Sequence, residues 1–143
     1  MKRLFIFPAI VFLFLSNISC SDDSNDSNSN SSVATFKAAL TPITGIESSA
    51  YGNAALEFNQ KTKRFIVTVN FTNIVPTSGH IHAPGGAIEF DLSPTASPLT
   101  SPTTYISPAL SEDQISLLTS DKYYINLHTA ANPNGEISGF LLK

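Results

Sequence analysis

The sequence predicts an all-β domain, built as an antiparallel β-sandwich with one short helix. Charged residues make up only 13% of the chain, Trp is absent and Phe is frequent, a composition typical of half-buried strands. Phe65, Val67, Val69 and Phe71 alternate with their neighbours at the period of a strand that has one buried face. Gly- and Pro-containing turns separate such segments at short intervals, as in sandwiches and barrels.

Residues 1–20 have the order of a bacterial lipoprotein signal peptide. Two basic residues precede an apolar run of 12 residues, from Leu4 to Leu15, whereas a membrane-spanning helix needs roughly 20. The run therefore indicates a leader rather than a permanent anchor. It is followed by small residues and by Cys20, the only cysteine of the chain, in an arrangement that resembles a lipobox. We expect cleavage before Cys20 and lipidation of its thiol; the alternative is an ordinary signal peptide beside an incidental cysteine.

Residues 21–32 (SDDSNDSNSNSS) contain only Ser, Asn and Asp, so they cannot bury an apolar side chain. We expect a disordered spacer with a root-mean-square reach of about 20 Å. The membrane is thus an expected partner, reached through the N-terminal lipid. The expected location is the cell envelope, as an outer-membrane lipoprotein that faces either the periplasm or the outside. The formal net charge of −3 argues against nucleic acid as a partner.

Residues 33–143 are expected to form the folded domain. The predicted strands are 35–40, 55–58, 64–71, the segment around the histidines at 80 and 82, 88–92, 123–128 and 136–142. Ser111 and Gln114 have the spacing of a capping box and begin a predicted helix over residues 111–119. The run 132–135 (NPNG) predicts a tight turn before the last strand.

The three histidines of the chain, His80, His82 and His128, all lie in predicted strands. Side chains two residues apart project from the same face of a strand, so His80 and His82 can reach one ion. With His128 from another strand they form a candidate site for copper or zinc. The alternative is that the three imidazoles hydrogen-bond turn backbone and one another.

Carboxylates and amides near the histidines are candidates for completing such a site. Glu136 or Glu89 is a candidate carboxylate ligand or a partner that orients a ligand. Asn126 shares the face of its strand with His128 and is a second candidate for that orienting role. We find no pairing of a nucleophile with a plausible base and predict no catalytic residues.

Two motifs resemble the CHRD domain, the module repeated in the animal protein chordin and found singly in bacterial exported proteins. The longer runs from Tyr123 to Gly139 and resembles the family pattern Tyr-x-Asn-x-His-Thr followed by Pro-x-Gly-Glu-Ile-Arg-Gly. The shorter is Gly79-His80-Ile81-His82-Ala83-Pro84. Ser138 stands where the family usually has Arg. The resemblance covers nearly all of residues 33–143 and includes the three histidines.

The resemblance implies a β-sandwich-like domain with no established catalytic activity. We expect the sandwich to be an immunoglobulin-like or superoxide-dismutase-like Greek key, and the layout of the three histidines is similar to the copper site of β-sandwich superoxide dismutases. In chordin the module contributes to binding a secreted growth factor, and its ligand need not carry over to this chain. Two functional predictions follow. The first is a lipid-anchored, non-enzymatic binding module with an unidentified protein ligand; the alternative is a copper- or zinc-binding metalloprotein that uses His80, His82 and His128.

Overall fold

The structure is a computed structural model that describes residues 32–93 and 98–143, which lie in one compact unit, Ser31–Lys143. The predicted leader, Cys20 and nearly all of the predicted spacer lie outside the described residues. No helix within the two described ranges has the length and hydropathy of a membrane span. The strands in those ranges are β1 (Val33–Pro42), β2 (Tyr51–Asn59), β3 (Arg64–Thr72), β4 (Ser78–His82), β5 (Ile88–Asp91), β6 (Thr103–Ile106), β7 (Tyr124–His128) and β8 (Ile137–Phe140). Helix α1 spans Glu112–Thr119, and a short 3₁₀ turn spans Pro84–Gly86.

The eight strands form one antiparallel sheet in the order β5-β4-β7-β8-β1-β2-β3-β6. Strand β1 connects the two halves of this sheet. Its residues Val33 to Leu40 pair with β2, and its last two residues, Thr41 and Pro42, pair with β8. The prediction of an all-β antiparallel fold with one short helix is therefore confirmed. The two layers of the predicted sandwich are the two halves of one sheet, and both halves include β1.

The sheet curls so that its two ends face each other across the core. Phe90 on β5 packs edge-on against Phe65 on β3, with ring centroids 5.0 Å apart. Phe90 also lies 6.3 Å from the ring of Tyr105 on β6, the strand at the opposite end of the sheet. Such aromatic contacts between the halves contribute beyond their buried area, by about 0.5–1.5 kcal/mol per pair.

The core contains the residues that alternate in the sequence. Phe65, Val67, Val69 and Phe71 on β3 are all buried, as their spacing predicts. The same alternation runs through β1, where every second residue from Ala34 to Leu40 is buried. Period-2 patterning is thus sufficient to assign the inner face of the longest strands.

Helix α1 begins with the predicted capping box. The Ser111 hydroxyl accepts a hydrogen bond from the Gln114 backbone N–H at 3.2 Å, and the Gln114 side chain accepts one from the Ser111 N–H at 2.9 Å. Leu118 is fully buried and fixes the apolar side of the helix to the core.

Strand β6 is the one strand of the described residues that the sequence did not predict. It pairs with β3 from Ile66↔Ile106 to Val69↔Thr103 and forms an edge of the sheet. None of its four residues is fully buried, so no alternation of apolar and polar residues marks it in the sequence. The burial of an edge strand depends on the tertiary packing, which local pattern does not report.

Candidate metal centre

The three histidines come together on the outer face of the sheet, where β4 and β7 pair. Ser78 of β4 lies opposite His128 of β7, so His80 lies one diagonal step from His128 on the same face. Ile81 and Leu127 point the other way and are fully buried in the core. Period 2 thus fixes both the core contacts of these strands and the common face of the histidines.

The distances between the imidazoles are those of a compact cluster. His80 Nδ1 and His128 Nε2 are 3.0 Å apart. One ring nitrogen from each of the three histidines lies within 4.8 Å of the other two. The structure therefore brings together all three predicted metal ligands.

The cluster is covered on most sides. His82 and His128 keep only 6% and 8% of their surface exposed, and the His80 side chain keeps 15%. The ring of Tyr124 stacks on His82 at 5.0 Å with an interplanar angle of 13°. The loop between β7 and β8, residues 129–136, contacts the His128 ring through the Pro133 carbonyl. The ring of His80 is the most exposed of the three and gives solvent access to the cluster.

His82 is oriented by the 3₁₀ turn that follows β4. Its Nδ1 lies 3.0 Å from the carbonyl oxygen of Gly86. A carbonyl oxygen can only accept, so Nδ1 carries the proton and the neutral ring has its lone pair on Nε2. That Nε2 is buried and has no hydrogen-bond partner. A free lone pair of His82 is therefore held inside the cluster.

His128 is oriented in the same way by the β7–β8 loop. Its Nδ1 lies 3.0 Å from the carbonyl oxygen of Pro133 and must donate to it. The lone pair of neutral His128 is then on Nε2, which faces His80. Nδ1 of His80 is consequently the donor in the short contact between the two rings.

Burial favours the neutral form of His80 and of His128. Desolvation is the main cause that lowers the pKa of His80, and the neighbouring His128 lowers it further, while Asp91 opposes the shift. Desolvation also lowers the pKa of His128, against the opposing effect of the hydrogen bond to Pro133. Neutral imidazole is the form that binds a metal ion.

The carboxylate of Glu136 braces the loop over His128. It accepts hydrogen bonds from the hydroxyls of Ser48 at 2.6 Å and Thr129 at 2.7 Å, and from the amide of Asn132 at 3.0 Å. These bonds, led by that from Ser48, lower the pKa of Glu136. Its connection to the histidines runs through the loop that carries Pro133. Glu89 accepts instead from the Gln114 side chain of α1, at 2.6 Å.

Asn126 holds the other end of the same loop. Its Nδ2 donates to the Asn134 carbonyl at 3.1 Å, whereas its Oδ1 is buried without a partner. Gly135 packs directly against this amide, and a Cβ at Gly135 would overlap it. Asn126 also lies directly opposite His80 across β4 and β7. Of the predicted outer partners, Glu136 and Asn126 thus lie around the loop that orients His128, whereas Glu89 pairs with α1 and neither glutamate belongs to the histidine cluster.

Two residues near the cluster were not singled out from the sequence. Tyr124 covers His82, and Asp91 on β5 lies opposite His80, with Oδ1 3.9 Å from His80 Nε2. Both are on strands that were predicted. The sequence did not reveal that β5 pairs with β4, and this pairing is what brings Asp91 beside His80.

The cluster fits the coordination distances of zinc or copper after a small contraction. With metal–nitrogen bonds of about 2.05 Å, the 3.0 Å pair subtends an angle of about 94° at the ion. Tetrahedral coordination would place nitrogens about 3.4 Å apart, so the widest pair must close by at most 4.8 − 3.4, or about 1.4 Å.

The family model of the CHRD domain matches residues 36–141, a span that contains the three histidines, the loop over His128 and Asp91. No curated protein and no solved structure matches the chain.

Proposed function

Because this chain belongs to the CHRD domain family, we propose that it carries an exported CHRD module that binds a transition-metal ion through His80, His82 and His128. The proposal rests on the geometry of the cluster. Three imidazoles converge from two strands, and two of them are oriented by backbone carbonyls. Such hydrogen bonds behind the ligands are a regular feature of histidine metal sites.

The observation that carries the proposal is the unpartnered Nε2 of His82. Without an ion, His80 and His128 already have hydrogen-bond partners, because His128 donates to the Pro133 carbonyl and the two rings hydrogen-bond each other. This arrangement leaves His82 with a buried lone pair, and a buried acceptor without a partner costs about 1–3 kcal/mol. A metal ion would use this lone pair together with Nε2 of His128 and Nδ1 of His80.

Copper and zinc are the ions that suit this set of ligands. Imidazole binds both, and the affinity of nitrogen ligands for divalent ions of the first transition row peaks at Cu²⁺ and falls again at Zn²⁺. We therefore expect Cu²⁺ to bind more tightly than Zn²⁺. Because zinc sites with three protein ligands take a fourth from solvent, we expect the ion to keep one position for water.

We also propose that the domain is held at the cell envelope by a lipid on Cys20. The support is the order of the first 20 residues: a basic start, an apolar run too short to span a bilayer, and the sole cysteine. The polar spacer, with a root-mean-square span of about 20 Å, would tether the domain to the lipid. The roles we propose for the bound ion are storage, delivery or redox chemistry.

The proposal is tested by equilibrium dialysis of the chain from Ser21 onward against Zn²⁺ and Cu²⁺, followed by metal analysis. We expect one ion per chain in the wild type and a large loss of binding in His82→Ala. Ser107→Ala is the matched control, because Ser107 is also a buried polar residue but lies outside the cluster and hydrogen-bonds the Phe65 N–H. Absence of bound metal in the wild type, or equal binding in His82→Ala, would contradict the proposal.

A further inference from the structure

We infer that Asp91 is a positioning residue of this metal site: its carboxylate accepts the Nε2–H of His80 when His80 binds the ion through Nδ1. This inference rests on the proposed metal binding. It concerns how the third histidine is oriented, since the other two are already held by carbonyl groups. Without a partner at Nε2, His80 would be the one ligand with no fixed ring orientation.

The pairing of β4 with β5 places the two side chains side by side. His80 and Asp91 are directly opposite each other in the register of these strands, and the two atoms concerned are 3.9 Å apart. Residues directly opposite in an antiparallel pair have Cβ atoms about 4.5–5.5 Å apart, so their proximity is set by the backbone. A contraction of about 1 Å would give the length of a charge-assisted hydrogen bond.

The carboxylate of Asp91 is itself oriented. The backbone N–H and the hydroxyl of Ser93 both donate to Oδ1, at 2.8 and 3.0 Å. The Ser93 hydroxyl also accepts from the Gly79 N–H at 3.4 Å, next to His80. This turn connects the end of β5 back to β4 and keeps the carboxylate beside the imidazole.

Ion binding requires His80 to change tautomer. In the cluster without an ion, Nδ1–H of His80 donates to Nε2 of His128. An ion placed between these two nitrogens needs both lone pairs, so the His80 proton must leave Nδ1. The ring stays neutral when the proton reappears on Nε2 by exchange with solvent, which reaches the partly exposed ring. The Nε2–H of His80 then points toward the Asp91 carboxylate, which can accept its hydrogen bond.

Three ring N–H groups would then have three acceptors. His82 donates to the Gly86 carbonyl, His128 donates to the Pro133 carbonyl, and His80 would donate to Asp91. Of the three acceptors, only the Asp91 carboxylate is charged. Its negative charge also offsets part of the charge of a divalent ion. Loss of such a partner typically costs 10–100-fold in metal affinity. Because the Asp91 side chain is 52% exposed, we expect about tenfold, at the lower end of that range.

The test compares the Zn²⁺ affinity of wild type, Asp91→Asn and Asp91→Glu, with Glu89→Gln as the matched control. Glu89 lies two residues away on the same strand, so its variant removes the same charge, but its carboxylate pairs with Gln114 of α1. We expect Asp91→Asn to raise the Kd about tenfold, Asp91→Glu to recover part of the loss, and Glu89→Gln to change it less than about threefold. Equal affinities of Asp91→Asn and Glu89→Gln would overturn the inference.

Nitrogen-15 NMR of the imidazoles supplies a readout that a merely structural role of Asp91 would not move. In the Zn²⁺-bound wild type we expect the His80 proton on Nε2, slowed in its exchange with solvent, and faster exchange in Asp91→Asn. A proton that stays on Nδ1 of His80 would also overturn the inference. These outcomes differ from failure of the proposed function, in which the wild type itself would bind no Zn²⁺.

Discussion

Replacing His82 by Leu separates the metal-binding interpretation from a structural one, because the two predict opposite changes in the stability of the metal-free protein. His82 buries an unpartnered Nε2, which costs about 1–3 kcal/mol. Its Nδ1–H hydrogen bond to Gly86 returns about 0.5–1.5 kcal/mol. Gly86 is exposed, so water can take over its carbonyl in the variant.

The His82→Leu substitution removes both the cost of the buried Nε2 and the gain from the hydrogen bond to Gly86. It keeps an apolar side chain of similar size against the ring of Tyr124. We therefore expect metal-free His82→Leu to be as stable as wild type or more stable, by about 0–2 kcal/mol. Free Zn²⁺ at 100 times the Kd of wild type should stabilise wild type by about 2.7 kcal/mol. It should leave the variant unchanged, so the order of stability reverses when metal is added.

The assay is urea denaturation with a chelator and again with Zn²⁺, using the chain from Ser21 onward. Ser107→Ala is the control. It removes a buried hydroxyl that is fully hydrogen-bonded and should cost about 1–3 kcal/mol with and without metal. The reasoning is refuted if metal-free His82→Leu loses as much stability as Ser107→Ala, since His82 would then be a structural residue.

Three further predictions concern pH, the loop over the site and the anchor. Metal-free protein should lose stability as the pH falls below about 6.5. Burial lowers the pKa of His80 and of His128 in the folded state, so the unfolded chain binds more protons than the folded one. Urea denaturation between pH 7 and 5 checks this prediction, and a stability that does not change with pH would contradict it. Gly135→Ala should destabilise the fold by about 1–3 kcal/mol and weaken Zn²⁺ binding. Gly135 has a φ of +117°, and a Cβ at this position would displace the Asn126 side chain. An unchanged melting temperature would argue against this packing. Cys20→Ala should move the protein from the membrane fraction to the soluble one, and unchanged partition would refute lipidation.

The parts of the fold that follow from local pattern were predictable. Phe65 to Phe71 alternate cleanly because one side of β3 faces the core along its whole length. Ser111 and Gln114 predict the start of α1 because a capping box is a contact between residues three apart. By contrast, no residue of β6 is fully buried and its partner β3 is distant in sequence, so neither its existence nor its position at the sheet edge was visible.

The candidate site divides in the same way. The three histidines were predictable as candidates, because His80 and His82 share a face by period 2 and His128 lies in a recognisable motif. The acceptors that orient them were not. Gly86 and Pro133 act through backbone carbonyls, which carry no sequence signature, and the contribution of Asp91 depends on the pairing of β5 with β4.

X-ray absorption spectroscopy of the Zn²⁺-loaded protein tests the central claim most directly, because it reports the atoms bound to the ion. We predict three nitrogen neighbours at about 2.0–2.1 Å with the outer scattering of imidazole rings, and a shell that loses one imidazole in His82→Ala. A shell made only of oxygen atoms, or one that is identical in the wild type and in His82→Ala, would contradict a metal site built from His80, His82 and His128.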